Sequence, residues 1–381
     1  AFILILLFLV KTFLSLLSWK GRRIFWGNIK RRFIWEFWSL RVFYAPVVIY
    51  VAFLALKHRS LTVFTCANPA ILASGFVGES KAEILRGLQS SDAAKPFLLK
   101  HLFLPENLPP DEKLKKAGQF LAENALSFPV VLKPDVGERG FGVQIVKTHE
   151  DFEKKLTESN ENLILQEFAD GEETSVFYYR GPSEKKGKIF AITEKRFPRV
   201  TGDGVSTLDE LILRDRRAVC LAEKYLERNA EKLETIPEKG EEIQIIDIGT
   251  HSRGAIFLDG GWMKTEVLEE KIDEICQNFD GFYFGRFDIR VKSFEDFKEA
   301  KNFKIVELNG VTSEATNIYD PKNSLTDAYK ILFRQWKIAF EIGAENRRCG
   351  AQPTKIIDLT NLVFGKPIAN RKSQIANPKC V

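Results

Sequence analysis

The runs FGRFDIRV (Phe284 to Val291) and FKIVELNG (Phe303 to Gly310) decide how this chain is read. Both look like strands, and together they carry Asp288, Glu307 and Asn309. Side chains alternate faces along a strand, so Glu307 and Asn309 point the same way. If the two runs pair as neighbours, Asp288 joins them. The product is a hard, all-oxygen corner of the kind that suits Mg²⁺ carrying a nucleotide's phosphates. Carboxylates on otherwise apolar strands are costly to desolvate without a cation. The alternative is a salt-bridged, half-exposed sheet. It is the simpler account of one acid alone, but the full D…E-x-N set favours the metal.

With 381 residues, the chain is long enough for two or three packed units. At 45% hydrophobic and 28% charged it has the composition of an ordinary soluble enzyme. The net charge of +5 is mild, and the excess is local, in Lys20, Arg22, Arg23, Lys30, Arg31 and Arg32, so a nucleic-acid-binding stripe is not indicated. Cys66, Cys220, Cys276, Cys349 and Cys380 are scattered, with no C-x-x-C pair. Neither a zinc site nor a disulfide framework is expected from them, and a reducing compartment fits.

Residues 1–19 and about 37–56 are two apolar runs, broken by Lys11 and by Arg41 and Pro46. Each is close to the ~20 residues that a spanning helix needs. The basic stretch between them belongs on the cytoplasmic side. If the second run then crossed, everything after it would be exported, where a nucleotide-dependent enzyme cannot work. At least one run is therefore expected to lie in the membrane interface, the second being the better candidate. The alternative is that residues 33–56 form a buried helix of the globular core. The expected location is cytoplasmic, at the inner face of the membrane.

Further along, SLTVFTC (Ser60 to Cys66) reads as a buried strand. A loop containing Gly75, Gly78, Glu79 and Ser80 leads into a helical pattern. The GES triad is a candidate substrate contact through Glu79 and Ser80. Residues 111–126 read as a polar helix. Residues 324–342 place Leu325, Tyr329, Leu332, Trp336 and Phe340 on one helical face, which is core packing.

FPVVLKPDVGERGFGVQIV (Phe128 to Val146) gives a strand ending at Lys133, a loop with Gly137, Gly140 and Gly142, and a second strand. Glycines let main-chain N–H groups close on phosphate oxygens. Strand–loop–strand is neither a P-loop nor a dinucleotide-binding turn, both of which lead into a helix. Alone it is a common hairpin; the lysine before it and the acids after it strengthen the phosphate reading. In NLILQEFADGEETSVFYY (Asn162 to Tyr179), a turn through Asp170 and Gly171 leaves main-chain groups near Phe168 and Ala169 for an adenine edge. Glu173 could accept from ribose hydroxyls. Alone, this too is an ordinary hairpin. In GTHSRGAIF (Gly249 to Phe257), His251 and Arg253 could share a face and hold a substrate carboxylate, or they could be a salt-bridged strand rim.

Together the pieces from about Phe128 to Tyr319 resemble the ATP-grasp superfamily, in its carboxylate–amine ligase branch. They look most like D-alanine–D-alanine ligase, glutathione synthetase and cyanophycin-synthetase-like proteins. The resemblance implies an α/β (α+β) fold in which two α+β subdomains clasp ATP, with Mg²⁺ or Mn²⁺ as cofactor. By position, Lys133 matches the phosphate-contacting lysine. QEFADGEE matches the hinge, with Gln166 and Glu167 on the adenine side, Phe168 and Ala169 giving main-chain contacts, and Glu173 the ribose acceptor. Asp288, Glu307 and Asn309 match the metal ligands, and Arg286 an arginine over the reacting phosphate and carbonyl. EKRFPRVTGDGVSTLDELI (Glu194 to Ile212) is similar to a lid, making Lys195 and Arg196 phosphate contacts. The region before Lys133 is shorter than the first domain of D-alanine ligases.

The organisation expected is a membrane-associated leader over residues 1–59 and a short α/β unit over 60–110. An ATP-grasp domain follows over 111–345, with its nucleotide and glycine-loop part at 111–200 and its lid and metal core at 201–345, and then a tail over 346–381. The activity implied is ATP-dependent joining of a small carboxylate to an amine, or to a thiol, through an acyl phosphate. Relatives imply a homodimer. The alternatives are an ATP-grasp phosphotransferase and a membrane-tethered nucleotide-binding regulator.

Overall fold

The structure, a computed structural model, describes residue 10 and residues 13–137, 140–247, 249–250 and 254–365. It divides into two compact units. The first comprises Ala1–Val48 and Lys195–Phe257, the second Ile49–Glu194 and Leu258–Val381.

The second unit holds a four-stranded sheet and most of a five-stranded one. A four-stranded sheet is built from β1 (His101–Leu104), β2 (Val130–Pro134), β3 (Gln144–Val146) and β4 (Leu163–Glu167) in the order β1-β4-β2-β3, with every pairing antiparallel. Its central strands β2 and β4 are buried along most of their length, and both faces of the sheet find cover. Val130, Leu132 and Leu165 pack with Ala117, Phe152 and Leu156 of helices Pro110–Glu123 and His149–Glu158. Ile164 instead meets Ala82 and Leu85 of helix Lys81–Gln89.

β5 (Glu172–Tyr179) and β6 (Lys188–Arg196) start a five-stranded sheet. The chain leaves the second unit after Glu194, within β6. It makes the small antiparallel pair β7 (Arg199–Thr201) and β8 (Glu242–Gln244) and returns along β9 (Ile256–Asp259). β10 (Phe284–Val291) and β11 (Phe303–Asn309) complete the order β11-β10-β5-β6-β9. Phe287, Ile289 and Val291 of β10 point into a core with Leu268, Ile272 and Ile275 of helix Glu266–Gln277. On the opposite face, Phe284 and Phe177 pack with Ala339 and Phe340 of helix Leu325–Arg348, leaving Arg286 and Asp288 beyond that apolar cover.

One buried amide fastens the segment before helix Lys81–Gln89 to β10. Asn68 donates to the carbonyls of Phe284 (2.7 Å) and Ser74 (3.2 Å), and accepts from the main-chain N–H groups of Tyr283 and Phe284, both at 2.9 Å. The turn it holds runs through Ala73, Ser74 and Gly75, all left-handed, at φ 45°, 59° and 74°. Two of these are not glycine, so the turn is strained. A Cβ on Gly75 would lie 2.7 Å from Cα of Gly310, so the turn is pressed against the residue that follows β11.

Several expectations need correction. Ser60 to Cys66 does not form a strand; Val63–Cys66 is a buried 3-10 turn. An apolar run that is buried on all sides has no periodicity to separate the two. No helix among the described residues is long and apolar enough to cross a membrane. The first apolar run falls largely outside the described residues. The second forms helix Ala45–Lys57, which buries Leu54 and Ala55 in the core and exposes Ile49, Phe53 and Leu56. Cys66, Cys220 and Cys276 are free and buried.

In the first unit, helix Trp19–Phe33 lies on the 195–257 segment. Arg23 donates to the carbonyl of Leu213 (2.8 Å), Lys20 pairs with Asp209, and Gly27 sits so close to Val219 that a Cβ would lie 2.3 Å from its carbonyl oxygen.

Asn68→Ala should strand the buried N–H and carbonyl groups of Phe284 and cost about 2–4 kcal/mol. Urea unfolding of the two proteins measures it, and a loss below about 0.5 kcal/mol would mean that this amide is not the fastening point.

Candidate functional site

The pairing of β10 with β11 sets the site. Cα partners run Arg286↔Asn309, Phe287↔Leu308 and Asp288↔Glu307, then skip to Ile289↔Ile305. Val306 is therefore an extra residue, a β-bulge. Without it, Glu307 would share a face with Ile305, which is buried in the core. With it, Ile305 and Phe303 keep to the core while Glu307 and Asn309 turn to the face of Arg286 and Asp288. Asp288, Glu307 and Asn309, expected from the sequence to share a face, lie on one face together with Arg286. Asp288 Oδ2 accepts from Asn309 Nδ2 at 3.0 Å and from Arg286 Nη2 at 3.2 Å.

The bulge also turns the Val306 carbonyl toward the four-stranded sheet. Lys133 Nζ donates to it at 3.2 Å and to Gln166 Oε1 at 2.8 Å, and Gln166 Nε2 donates to the same carbonyl at 3.2 Å. Lys133 is only 4% exposed. Burial pushes its ammonium down to about 8, Glu307 opposes that shift, Lys81 adds to it, and Asp288 opposes it. A buried cation thus feels two of the expected metal ligands directly.

Lys81 escaped the sequence reading. Its ammonium is 3.6 Å from Glu307 Oε1 and donates to the carbonyl of Gly137 at 2.6 Å, so it links an acid of β11 to the glycine loop. A signal was present. A lysine at the first position of a helix opposes the macrodipole and calls for a specific acceptor. Ser80, the preceding residue, caps this helix by accepting from the Glu83 N–H and donates to Asp135 Oδ1 at 2.9 Å, so its hydroxyl is occupied in structure. Glu79 is half-buried beside it.

In the loop after β2, Gly142 has φ 70°, and a Cβ there would lie 2.6 Å from Pro134 Cγ, so no other residue fits without a shift. Gly137 and Gly140 flank the loop; Glu138 and Arg139 lie outside the described residues. Glu167 accepts from the Lys100 N–H at 3.0 Å, and Phe168 and Ala169 are half-buried after β4. Glu173 forms an ion pair with Arg290 at 3.1 Å. Lys195 and Arg196 belong to the first unit. There Lys195 is buried, with its ammonium 5.9 Å from the ring centre of Phe257, and Arg196 is exposed. His251 and Arg253 lie outside the described residues.

Among the described residues no three His, Cys, Asp or Glu side chains gather as a metal centre; the candidate corner consists of two acids and an amide. Two buried polar atoms in it lack a partner: Arg286 Nε, and Ser175 Oγ, whose residue pairs with Asp288 across β5 and β10. Orphaned buried groups call for an occupant. The Arg286 guanidinium is held charged above its usual range despite burial, chiefly by Asp288. Hard oxygens with cations close by fit a divalent ion carrying polyanionic oxygens.

No family model matches the sequence, and no curated protein matches it. Among solved structures, the chain is similar to a bifunctional glutathione synthetase from Pasteurella multocida, with TM-score 0.37 and 18% identity over 67% of this chain and 36% of that one. It is similar to the VanG D-Ala:D-Ser ligase from Enterococcus faecalis, with TM-score 0.37 and 13% identity over 68% and 61%. It is also similar to D-alanine–D-alanine ligase from Bacillus anthracis, with TM-score 0.36 and 15% identity over 71% and 68%. The chain thus spans about a third of the first of these and less than two thirds of the second. Likeness at this level leaves the chemistry to the residues themselves.

The electrostatics of the corner can be read directly. Removing the acid in Glu307→Gln should lower the titration midpoint of Lys133 further below 8, and removing the competing cation in Lys81→Met should raise it. NMR of ¹³C-labelled lysine follows both; unchanged midpoints would separate Lys133 from the corner.

Proposed function

We propose that the chain is an ATP-dependent carboxylate–amine ligase acting on small molecules through an acyl phosphate. The observation that carries this reading is the common face of Asp288, Glu307 and Asn309, with the buried Lys133 electrostatically coupled to both acids.

A carboxylate is a poor electrophile in water, and transfer of the γ-phosphoryl group of ATP to it makes an acyl phosphate that an amine can attack. Charge builds on the transferring group, so catalysis is mainly the placing of cations. Asp288, Glu307 and the side-chain amide oxygen of Asn309 would hold Mg²⁺ or Mn²⁺, which would supply positive charge to the transferring phosphates. Lys133 adds a positive charge that needs no solvent shell. The glycine loop from Gly137 to Gly142 offers main-chain N–H groups to phosphates. Gln166, Glu167, Phe168 and Ala169 border the adenine in this reading, and Glu173 the ribose. Arg286, half-buried and charged, with its buried Nε uncommitted, stabilises the oxyanion formed as the amine adds. The part of Lys195 and Arg196, and of His251 and Arg253, rests on the sequence alone. No protein nucleophile is needed.

Phosphate release that depends on an added amine would support the ligase; an amine-independent phosphorylated product would instead mark a phosphotransferase. Glu307→Gln should abolish turnover, by at least about 10³-fold, while circular dichroism and melting stay unchanged. Normal turnover in that variant would overturn the metal assignment.

A pH dependence follows for nucleotide binding. In the free protein Lys133 loses its proton around pH 8, and bound phosphates favour the charged form. ATP affinity should therefore hold below pH 8 and fall above it, approaching tenfold per pH unit for one proton. In Lys133→Arg the guanidinium stays charged, and the fall should disappear. Calorimetric titration from pH 7 to 9.5 compares the two proteins.

A further inference from the structure

We propose that helix Trp19–Phe33 of the first unit docks on the surface of an anionic lipid bilayer. Trp19, Arg22, Trp26, Lys30 and Phe33 are spaced three or four residues apart, so they lie on one side of the helix. All five are exposed, Trp26 at 62% and Phe33 at 82%. The other side is committed to the unit, with Gly27 against Val219 and Arg23 on the Leu213 carbonyl. Of the outward cations, Arg22 also donates to the carbonyls of Leu16 and Leu17, and Lys30 to that of Arg216. These contacts hold the charges at fixed places.

Alternating indole or phenyl rings and cations is the pattern of a helix lying at the headgroup level, where rings enter the acyl boundary and Lys and Arg meet lipid phosphates. Charge elsewhere points to the same partner. Residues 1–78 contain ten Lys and Arg against one acid, Glu36, whereas the remainder contains 46 against 50. The net positive charge is confined to the segment that carries this helix. Phe13, Leu14 and Leu17, just ahead of the helix, are also exposed. An apolar flank of that kind suits acyl chains and has nothing to match in the sugar-phosphate edge of a nucleic acid.

The test is cosedimentation of the full chain with vesicles of phosphatidylcholine alone and of phosphatidylcholine with 30% phosphatidylglycerol. Binding to the anionic vesicles should exceed binding to the neutral ones by about tenfold or more, and should fall steeply between 50 and 500 mM salt. Trp26→Ala with Phe33→Ala should reduce it about tenfold. Both side chains point outward, so melting should not change; should that variant unfold, the lipid and salt comparison on the unsubstituted chain still decides. Absence of binding, or equal binding to both compositions, overturns the proposal. So does a concentration-dependent dimer that Trp26→Ala with Phe33→Ala abolishes while vesicles stay unbound, since a second copy would then cover the face. None of these outcomes bears on ATP turnover.

Discussion

The main-chain carbonyl of Val306 is the point on which the candidate site turns. One extra residue in β11 frees it from the ladder, and two donors from the other sheet, Lys133 and Gln166, then take it. The same extra residue sends Ile305 inward and Glu307 outward. A single irregularity in strand register thus brings the two sheets of the second unit together and separates an apolar face from an ionic one. Buried ammonium groups are expensive, and this one persists because it has two acceptors and two carboxylates within electrostatic reach.

Around that point the backbone is tightly constrained. Asn68 fixes the start of β10, and the left-handed turn Ala73–Gly75 presses on Gly310, next to Asn309. Strained residues beside a cluster of charged groups are a common mark of a site whose geometry is held in advance of its ligand. Lys81 adds a tie between Glu307 and the glycine loop, so that movement of either reaches the other.

Much of this was legible because it depends on short-range rules. Period-two alternation put Glu307 and Asn309 on one face, and Lys133 at the end of an apolar strand was visible as a charge without local reason. The helices over residues 111–126 and 324–342 followed from polarity and periodicity, and the structure has them at Pro110–Glu123 and Leu325–Arg348. What was not legible depends on distant pairing. The bulge at Val306 exists only relative to β10. The ion pair of Glu173 with Arg290, 117 positions later, could not be read from the local sequence either. Ser60 to Cys66 misled because β-branched residues buried on all sides look alike in a strand and in a tight helical turn. The basic stretch from Lys20 to Arg32 suggested a loop between two membrane runs, and its helical partner lies about 190 residues away.

That long-range pairing has a practical edge. The amino-terminal helix shares a hydrophobic cluster with Leu213, Val219 and Cys220, to which it contributes Ile24, and its cations cap carbonyls at Leu213 and Arg216. Shortening the chain at its greasy end to improve expression would therefore strip the wall from a neighbouring layer and leave those carbonyls without their donors. A truncated protein that misbehaves would be reporting that missing wall, and says nothing about the candidate site.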